Sequence, residues 1–218
     1  MTSAAKPSWR KAMARPFPKL YPHVHGILSP GDIVQGPYQG GRPEGVTLHY
    51  TADRNFQRTY RELVTNKLGY HFVIDRDGKV YQLAYLDRTT AHAGKAMWNG
   101  LSPNRTHLSI ALISWGMLEK KEDHWCAWTG EKLPEQAVVA RPSNIDGKTY
   151  AWDKATDEQE ETLQMLLKWI ILNGVSPKNI CDHSECALPA GRKYDIGGVI
   201  STPMHDLRTK LQTILTLS

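Results

Sequence analysis

Two histidines and one aspartate, far apart in the chain, carry the residue types of a hydrolytic metal site. His49 closes the apolar run GVTLHYTA, and His183 and Asp195 stand near the two ends of DHSECALPAGRKYDIGG. Two neutral imidazoles and a carboxylate form a set that binds zinc while leaving a fourth position for water, the arrangement of a metal-assisted hydrolase. Cys186, three residues after His183, offers a softer competing ligand.

The elements around these residues decide whether they can meet. GVTLHYTA is a short β-branched and aromatic run, a buried strand with His49 near its C-terminal end. A histidine there reaches the rim of a sheet, where open α/β folds bind ligands. The second segment follows a helix and the strand-like NICD, so it also emerges at a sheet edge. Pro189, Gly191, Gly197 and Gly198 let it fold back and carry Asp195 towards His183. Residue types alone also admit a plain alternative, in which His49 is a hydrogen-bonded core histidine and His183 a loop histidine.

The remaining patterning predicts a single α/β domain with a central mixed sheet flanked by helices. Residues 1–44, rich in proline and glycine, read as an irregular arm or wrap. Residues 56–67 place Tyr60, Leu63 and Val64 on one helical face, with Gly69 as the stop. GYHFVIDRDGKVYQL is a hairpin turning at Asp77-Gly78. LSIALISWG (108–116) is mostly apolar and is expected to be central. Residues 117–153 show weak periodicity and read as a surface excursion with one short strand around KTYAW. Thr156 and Gln159 form a capping box for a helix bearing Leu163, Leu166, Leu167, Ile170 and Ile171 and ending at Asn173-Gly174. A last helix starts near Pro203.

Composition narrows the setting. A chain of 218 residues with 40% hydrophobic and 22% charged residues suits one soluble domain. A net charge of +5 favours an anionic partner such as nucleic acid, an anionic lipid surface or an acidic wall polymer, without choosing between them. Lys/Arg runs interleaved with aromatics are missing, so nucleic acid is not expected. Three cysteines argue against a disulfide framework and fit a reducing compartment. The N-terminus has no apolar stretch of a secretory signal, and no segment approaches the roughly 20 apolar residues of a membrane span. The expectation is a cytoplasmic product, acting as a monomer. Most of the seven Trp and nine Tyr are assigned to the core, although aromatic faces also suit carbohydrate rings.

VTLHYTA, LGYHFVIDRDGKVYQL, TAHAG, LSIALISWG and DHSECALPAGRKYDIGG occur in that order. The series resembles the zinc N-acetylmuramoyl-L-alanine amidase family, shared by short phage lysozymes and peptidoglycan recognition proteins. The resemblance covers about residues 45–215 and implies a catalytic domain over 45–218. It implies zinc held by His49, His183 and Asp195, and hydrolysis of the amide between the lactyl group of N-acetylmuramic acid and L-alanine. The loop between the second pair of ligands is about two residues longer than the family's GHSDIAPGRKTDPG, with Ile196-Gly197 in place of Pro-Gly, although Lys193 keeps the Lys-x-Asp arrangement.

Lys193 is implied as the ammonium that steadies the oxyanion. A Glu used by some members on the central strand is replaced by Ile113, whereas Tyr70 matches the GYHF tyrosine of the phage branch and is the candidate to assist the water. His71 is read as lying behind the site or in the core. His92 of AHAG and Arg192 are implied contacts to the muramyl-peptide, the latter through its fork of donors. The setting expected is a phage endolysin, made in the host cytoplasm and given access to the wall by a holin. The alternatives are a cytosolic muropeptide-recycling amidase and a peptidoglycan-binding module that has lost catalysis.

Overall fold

A computed structural model describes residues 16–28, 33–143 and 145–217. Its main sheet is built from β1 (Gly26–Ile27), β2 (Gly45–Tyr50), β3 (Phe72–Ile74), β4 (Val80–Gln82), β5 (His107–Leu112) and β11 (Ile180–Asp182), in the spatial order β1-β4-β3-β5-β2-β11. The β3/β4 hairpin is antiparallel and the other pairings are parallel. The hairpin turns where Asp-Gly predicts, with Gly78 at φ +78° and its N–H donating to Asp75 O. The expected central strand is central: β5, entered from the single turn α2 (Pro103–Thr106), lies between β2 and β3 with all six residues buried.

Alternation along these strands gives the sheet two unlike faces. Val46, Leu48, Leu108, Ile110, Leu112, Phe72 and Ile74 point to one side. There they meet Leu163, Leu166, Leu167, Ile170 and Ile171 of α3 (Asp157–Leu172) and Leu207 and Leu211 of α5 (Met204–Leu217). The capping box is formed as expected: Thr156 Oγ1 accepts from Gln159 N, and the Gln159 side chain accepts from Thr156 N. Thr47, His49, His107 and Ser109 take the alternate positions in β2 and β5, and all are buried. Thr47 Oγ1 lies 3.0 Å from His107 Nδ1, and His71 Nδ1 lies 2.9 Å from Ser109 Oγ. Burial lowers the pKa of both His71 and His107 to about 4, so this polar layer holds neutral rings.

α1 (Phe56–Asn66) covers part of the polar face, with Phe56 and Leu63 packed on Ile33, Val73, Leu83 and Ile113. It ends before Gly69: Lys67 takes the left-handed conformation, φ 53°, and its N–H reaches back to the last turn. Gly69 instead fits under Ile33, where a Cβ would come within 2.9 Å. The described residues of the N-terminal arm, 16–28 and 33–44, contribute core side chains. Phe17, Tyr21, Ile33 and Tyr38 are buried, and β1 pairs with β4.

The segment 117–153 departs most from the sequence reading. It forms a second, antiparallel five-stranded sheet of β6 (Met117–Lys121), β7 (His124–Cys126), β8 (Lys132–Leu133), β9 (Val138–Pro142) and β10 (Thr149–Asp153), ordered β8-β7-β6-β10-β9. Strands of two to five residues, many of them exposed, leave too few turns of period two to show in the sequence. The sheet has its own small core of Trp115, Leu118, Ala127, Leu133 and Ala151. It is fastened to the main sheet through Asp153, which is fully buried. Arg54 donates to both carboxylate oxygens at 2.9 and 2.7 Å, and Trp115 N–H donates to one at 2.8 Å.

Candidate active site

His49 occupies the polar face at the end of β2, as its strand position dictates. His183 opens α4 (His183–Cys186), a single turn that needs outside support at this length. Asp182 caps it, accepting from Glu185 N–H at 2.7 Å, while Glu185 accepts from Asp182 N–H at 3.0 Å. Arg208 of α5 grips Glu185 with two bonds of 2.8 Å and also donates to Ile180 O. The return loop then folds back as expected: Ser184 N–H donates to Asp195 O at 3.1 Å.

The three expected ligands converge, with one donor atom from each within 4.8 Å of the others. His183 Nδ1 is 2.7 Å and His49 Nδ1 3.5 Å from Asp195 Oδ2. Cys186 does not join them: its thiol faces His183 O at 3.7 Å within an apolar cluster with Ala93, Ala96 and Cys181.

The hydrogen bonds behind the cluster assign the ring protons. Ala93 O, 2.9 Å from His183 Nε2, can only accept, so Nε2 carries the proton and Nδ1 presents its lone pair. Pro103 O likewise accepts a hydrogen bond from His92 Nε2–H at 3.3 Å. His92 Nδ1 is then an acceptor for His49 Nε2–H at 3.1 Å, which leaves His49 Nδ1 bare. His49 Nδ1 is buried and has no hydrogen-bond partner. Two imidazole lone pairs and a carboxylate oxygen therefore face one another, and a proton or a cation must occupy the space between them. Burial, opposed by the nearby carboxylate, lowers the pKa of His49 to about 4, the neutral state a metal requires. For Asp195, burial pushes the pKa up, but the His183 and His49 rings more than offset it and hold the carboxyl well below the usual range. The residues present thus fit zinc in donor type, protonation and spacing.

The cluster opens onto a pocket of about 390 Å³. Tyr70, Lys193, His92 and Arg192 all line it. The Tyr70 ring lies 5.0 Å from that of His49, and burial, reinforced by the Asp195 charge, raises its pKa. It is a proton donor at neutral pH. Lys193 is exposed, and its charge is felt at His49. His92 is nearly buried with both ring nitrogens engaged, as above. The Arg192 guanidinium donates to Leu188 O, Ala93 O and Lys95 O, bracing the two loops. His71 lies in the core, with its Nε2 2.8 Å from both Tyr38 Oη and Arg88 O.

Tyr50, Met117 and Tyr194 also line the pocket, and the sequence reading did not single them out. Strand alternation assigns Tyr50 to the face opposite His49. The one available signal is Gly116, at φ +73°, where a Cβ would strike the Tyr50 ring at 2.1 Å.

With this geometry in view, the comparisons identify the class. The family model described as N-acetylmuramoyl-L-alanine amidase matches residues 39–198, and the chain belongs to that family. It is an amidase of the muramoyl-L-alanine class. Among solved structures, it is similar to a selenomethionine derivative of AmpD, with a TM-score of 0.55 and 16% identity over 88% of this chain and 96% of that one. It is also similar to AmiD from E. coli in complex with anhydro-N-acetylmuramic acid-L-Ala-D-gamma-Glu-L-Lys, with a TM-score of 0.56 and 22% identity over 82% of this chain and 60% of that one. The endolysin LysCS from Clostridium intestinale URNW gives a TM-score of 0.52 and 16% identity over 87% and 97%. At these identities the likeness is one of fold. None of the curated proteins matches the chain in sequence. Among the described residues, no helix is long and apolar enough to cross a membrane.

Proposed function

We propose that this chain is a zinc-dependent amidase that cuts the bond between the lactyl group of N-acetylmuramic acid and L-alanine in peptidoglycan, as an endolysin. The observation that carries the reading is the bare, buried Nδ1 of His49 facing His183 Nδ1 and Asp195 Oδ2. These three residues would hold the metal, which when bound would polarise the substrate carbonyl and activate water. Lys193, at the pocket wall, would place its ammonium against the negative charge growing on the carbonyl oxygen. Tyr70, kept protonated by its surroundings, would donate a hydrogen bond in the transition state rather than serve as a base. His92 would act as a positioning residue through His49, while its pocket-facing edge and Arg192 would contact the muramyl-peptide. The catalytic unit would span residues 45–218, with Phe17, Tyr21, Ile33 and Tyr38 of the preceding arm packed into it.

Polymeric wall is favoured over soluble muropeptide by the +5 net charge, which suits an acidic polymer. In that setting the protein would reach its substrate from the host cytoplasm once a holin opens the membrane. A binding module without catalysis is disfavoured because the full ligand set is present.

The test combines metal analysis with mass spectrometry of digested peptidoglycan. Bound zinc in about one-to-one ratio is expected, together with free N-acetylmuramic acid carboxyl ends and stem peptides beginning at L-alanine. His49→Ala or His183→Ala should remove both the zinc and the cleavage; activity that persists without metal would refute the mechanism.

A further inference from the structure

Trp128 sits where a tryptophan is unusual. It follows Ala127 in the tight turn between β7 and β8, closed by Gly130 N–H donating to Ala127 O at 2.8 Å, a place where small polar residues are the rule. It is 66% exposed, the most exposed of the large hydrophobic residues among those described. Yet its ring is held. The indole N–H donates to Ala52 O at 2.9 Å, and the ring meets buried Trp115 edge-on at 6.4 Å and 82°. Trp115 is itself pinned, its backbone N–H on Asp153 and its ring under Arg58.

Ala52 lines the same pocket as Tyr70 and Asp195, three residues after His49. Trp128 is therefore tethered to the backbone of the pocket wall. Leu68, another exposed apolar side chain, stands on the pocket wall as well. An oriented, uncharged aromatic face tethered beside a reaction pocket matches the apolar face of a pyranose ring better than it matches a charged peptide stem.

We propose that Trp128 is a glycan-stacking subsite, which takes an N-acetylhexosamine ring of the substrate strand beyond the sugar that bears the scissile amide. On this basis the second sheet gives the enzyme its preference for chains over single-sugar muropeptides. The inference rests on the muramoyl-amidase reading above.

Two substrates with the same stem peptide test it, one on a single N-acetylmuramic acid and one on a tetrasaccharide strand. Trp128→Ala should lower the ratio of their kcat/KM values, chain over single sugar, by about tenfold, mainly through a higher KM for the chain. Trp128→Phe should retain part of that preference. A ratio equal to that of the unmodified enzyme, or equal losses on both substrates, would overturn the subsite. If the unmodified enzyme cleaves neither substrate, the amidase reading fails instead, and the subsite is decided by titration with the tetramer of N-acetylglucosamine. A saturable change in tryptophan fluorescence that Trp128→Phe abolishes would uphold it, and no change would reject it.

Discussion

His92 Nδ1 stands 3.1 Å from His49 Nε2, so a histidine outside the candidate metal set fixes which nitrogen of His49 faces His183 and Asp195. The bond runs on to Pro103 O, and the His92 and Ala93 N–H groups are both held by Asn104 Oδ1 at 3.0 and 2.8 Å. His92→Ala should weaken zinc binding by about 10- to 100-fold, the usual effect of losing such a partner. Competition with a chelating dye measures it. His92→Asn, whose amide oxygen can still accept from His49, should recover part of the affinity. Unchanged affinity in the alanine variant would leave His92 as a substrate contact only.

Tyr70 and Lys193 separate chemistry from metal retention. Tyr70→Phe should lower kcat by roughly 100-fold and Lys193→Ala by about 100- to 1,000-fold, with zinc content intact in both. Zinc analysis beside steady-state kinetics checks this. A Tyr70→Phe enzyme with full kcat would leave the proton-handling role to another group on the pocket wall.

The third ligand is tested by Asp195→Ala and Cys186→Ala. The first should empty the site. The second should leave zinc in place and act only through packing, since the thiol points into the cluster of Ala93, Ala96 and Cys181. Zinc loss from the cysteine variant alone would reverse the assignment.

Asp153 joins the two sheets, and its removal strands the Arg54 charge against a buried site. Asp153→Ala should cost about 3 kcal/mol of stability, read from urea unfolding, because breaking one side of a buried pair leaves the other uncompensated. Asp153→Asn, which still accepts hydrogen bonds, should cost less.

Acid should loosen the fold through its buried neutral histidines, opposed only in part by Asp182, whose carboxyl is pushed up to about 7 by burial and the Glu185 charge and so gains stability as pH falls. His71 and His107 are neutral when folded, with pKa values lowered by burial to about 4, and titrate near 6.5 when unfolded. Between these values the unfolded chain binds more protons, so stability falls as pH falls. The slope should approach about 1.4 kcal/mol per pH unit for each histidine. Their contribution is fully present above about pH 6.5 and gone below about 4. Urea midpoints that stay level between about pH 7 and 5 would contradict the neutral-layer assignment.

The legible parts of the fold were those with local signals. Thr156 and Gln159 announce α3, and Asp77-Gly78 announces the hairpin, because a cap or a turn acts within four residues. The second sheet had no comparable signal: β8 is two residues long, and three of the five residues of β6 are exposed. The ligand types of His49, His183 and Asp195 could be read, and so could the glycines that return the loop. The His49–His92 bond could not, since it spans 43 residues and depends on how AHAG packs against Pro103. Tyr50 was hidden by the same alternation that exposed His49, because it reaches the pocket past a glycine in a different segment.

The two-faced main sheet separates durability from chemistry. Leu48, Ile110 and Phe72 look towards α3 and α5, whereas Thr47, His49 and His107 look away from them. An engineer can therefore repack Leu48, Ile110 and Phe72 to raise heat tolerance while leaving the histidine row in place, so long as Tyr50, which packs on that side and also lines the pocket, is kept. One row of alternating side chains serves as the partition between those two design problems.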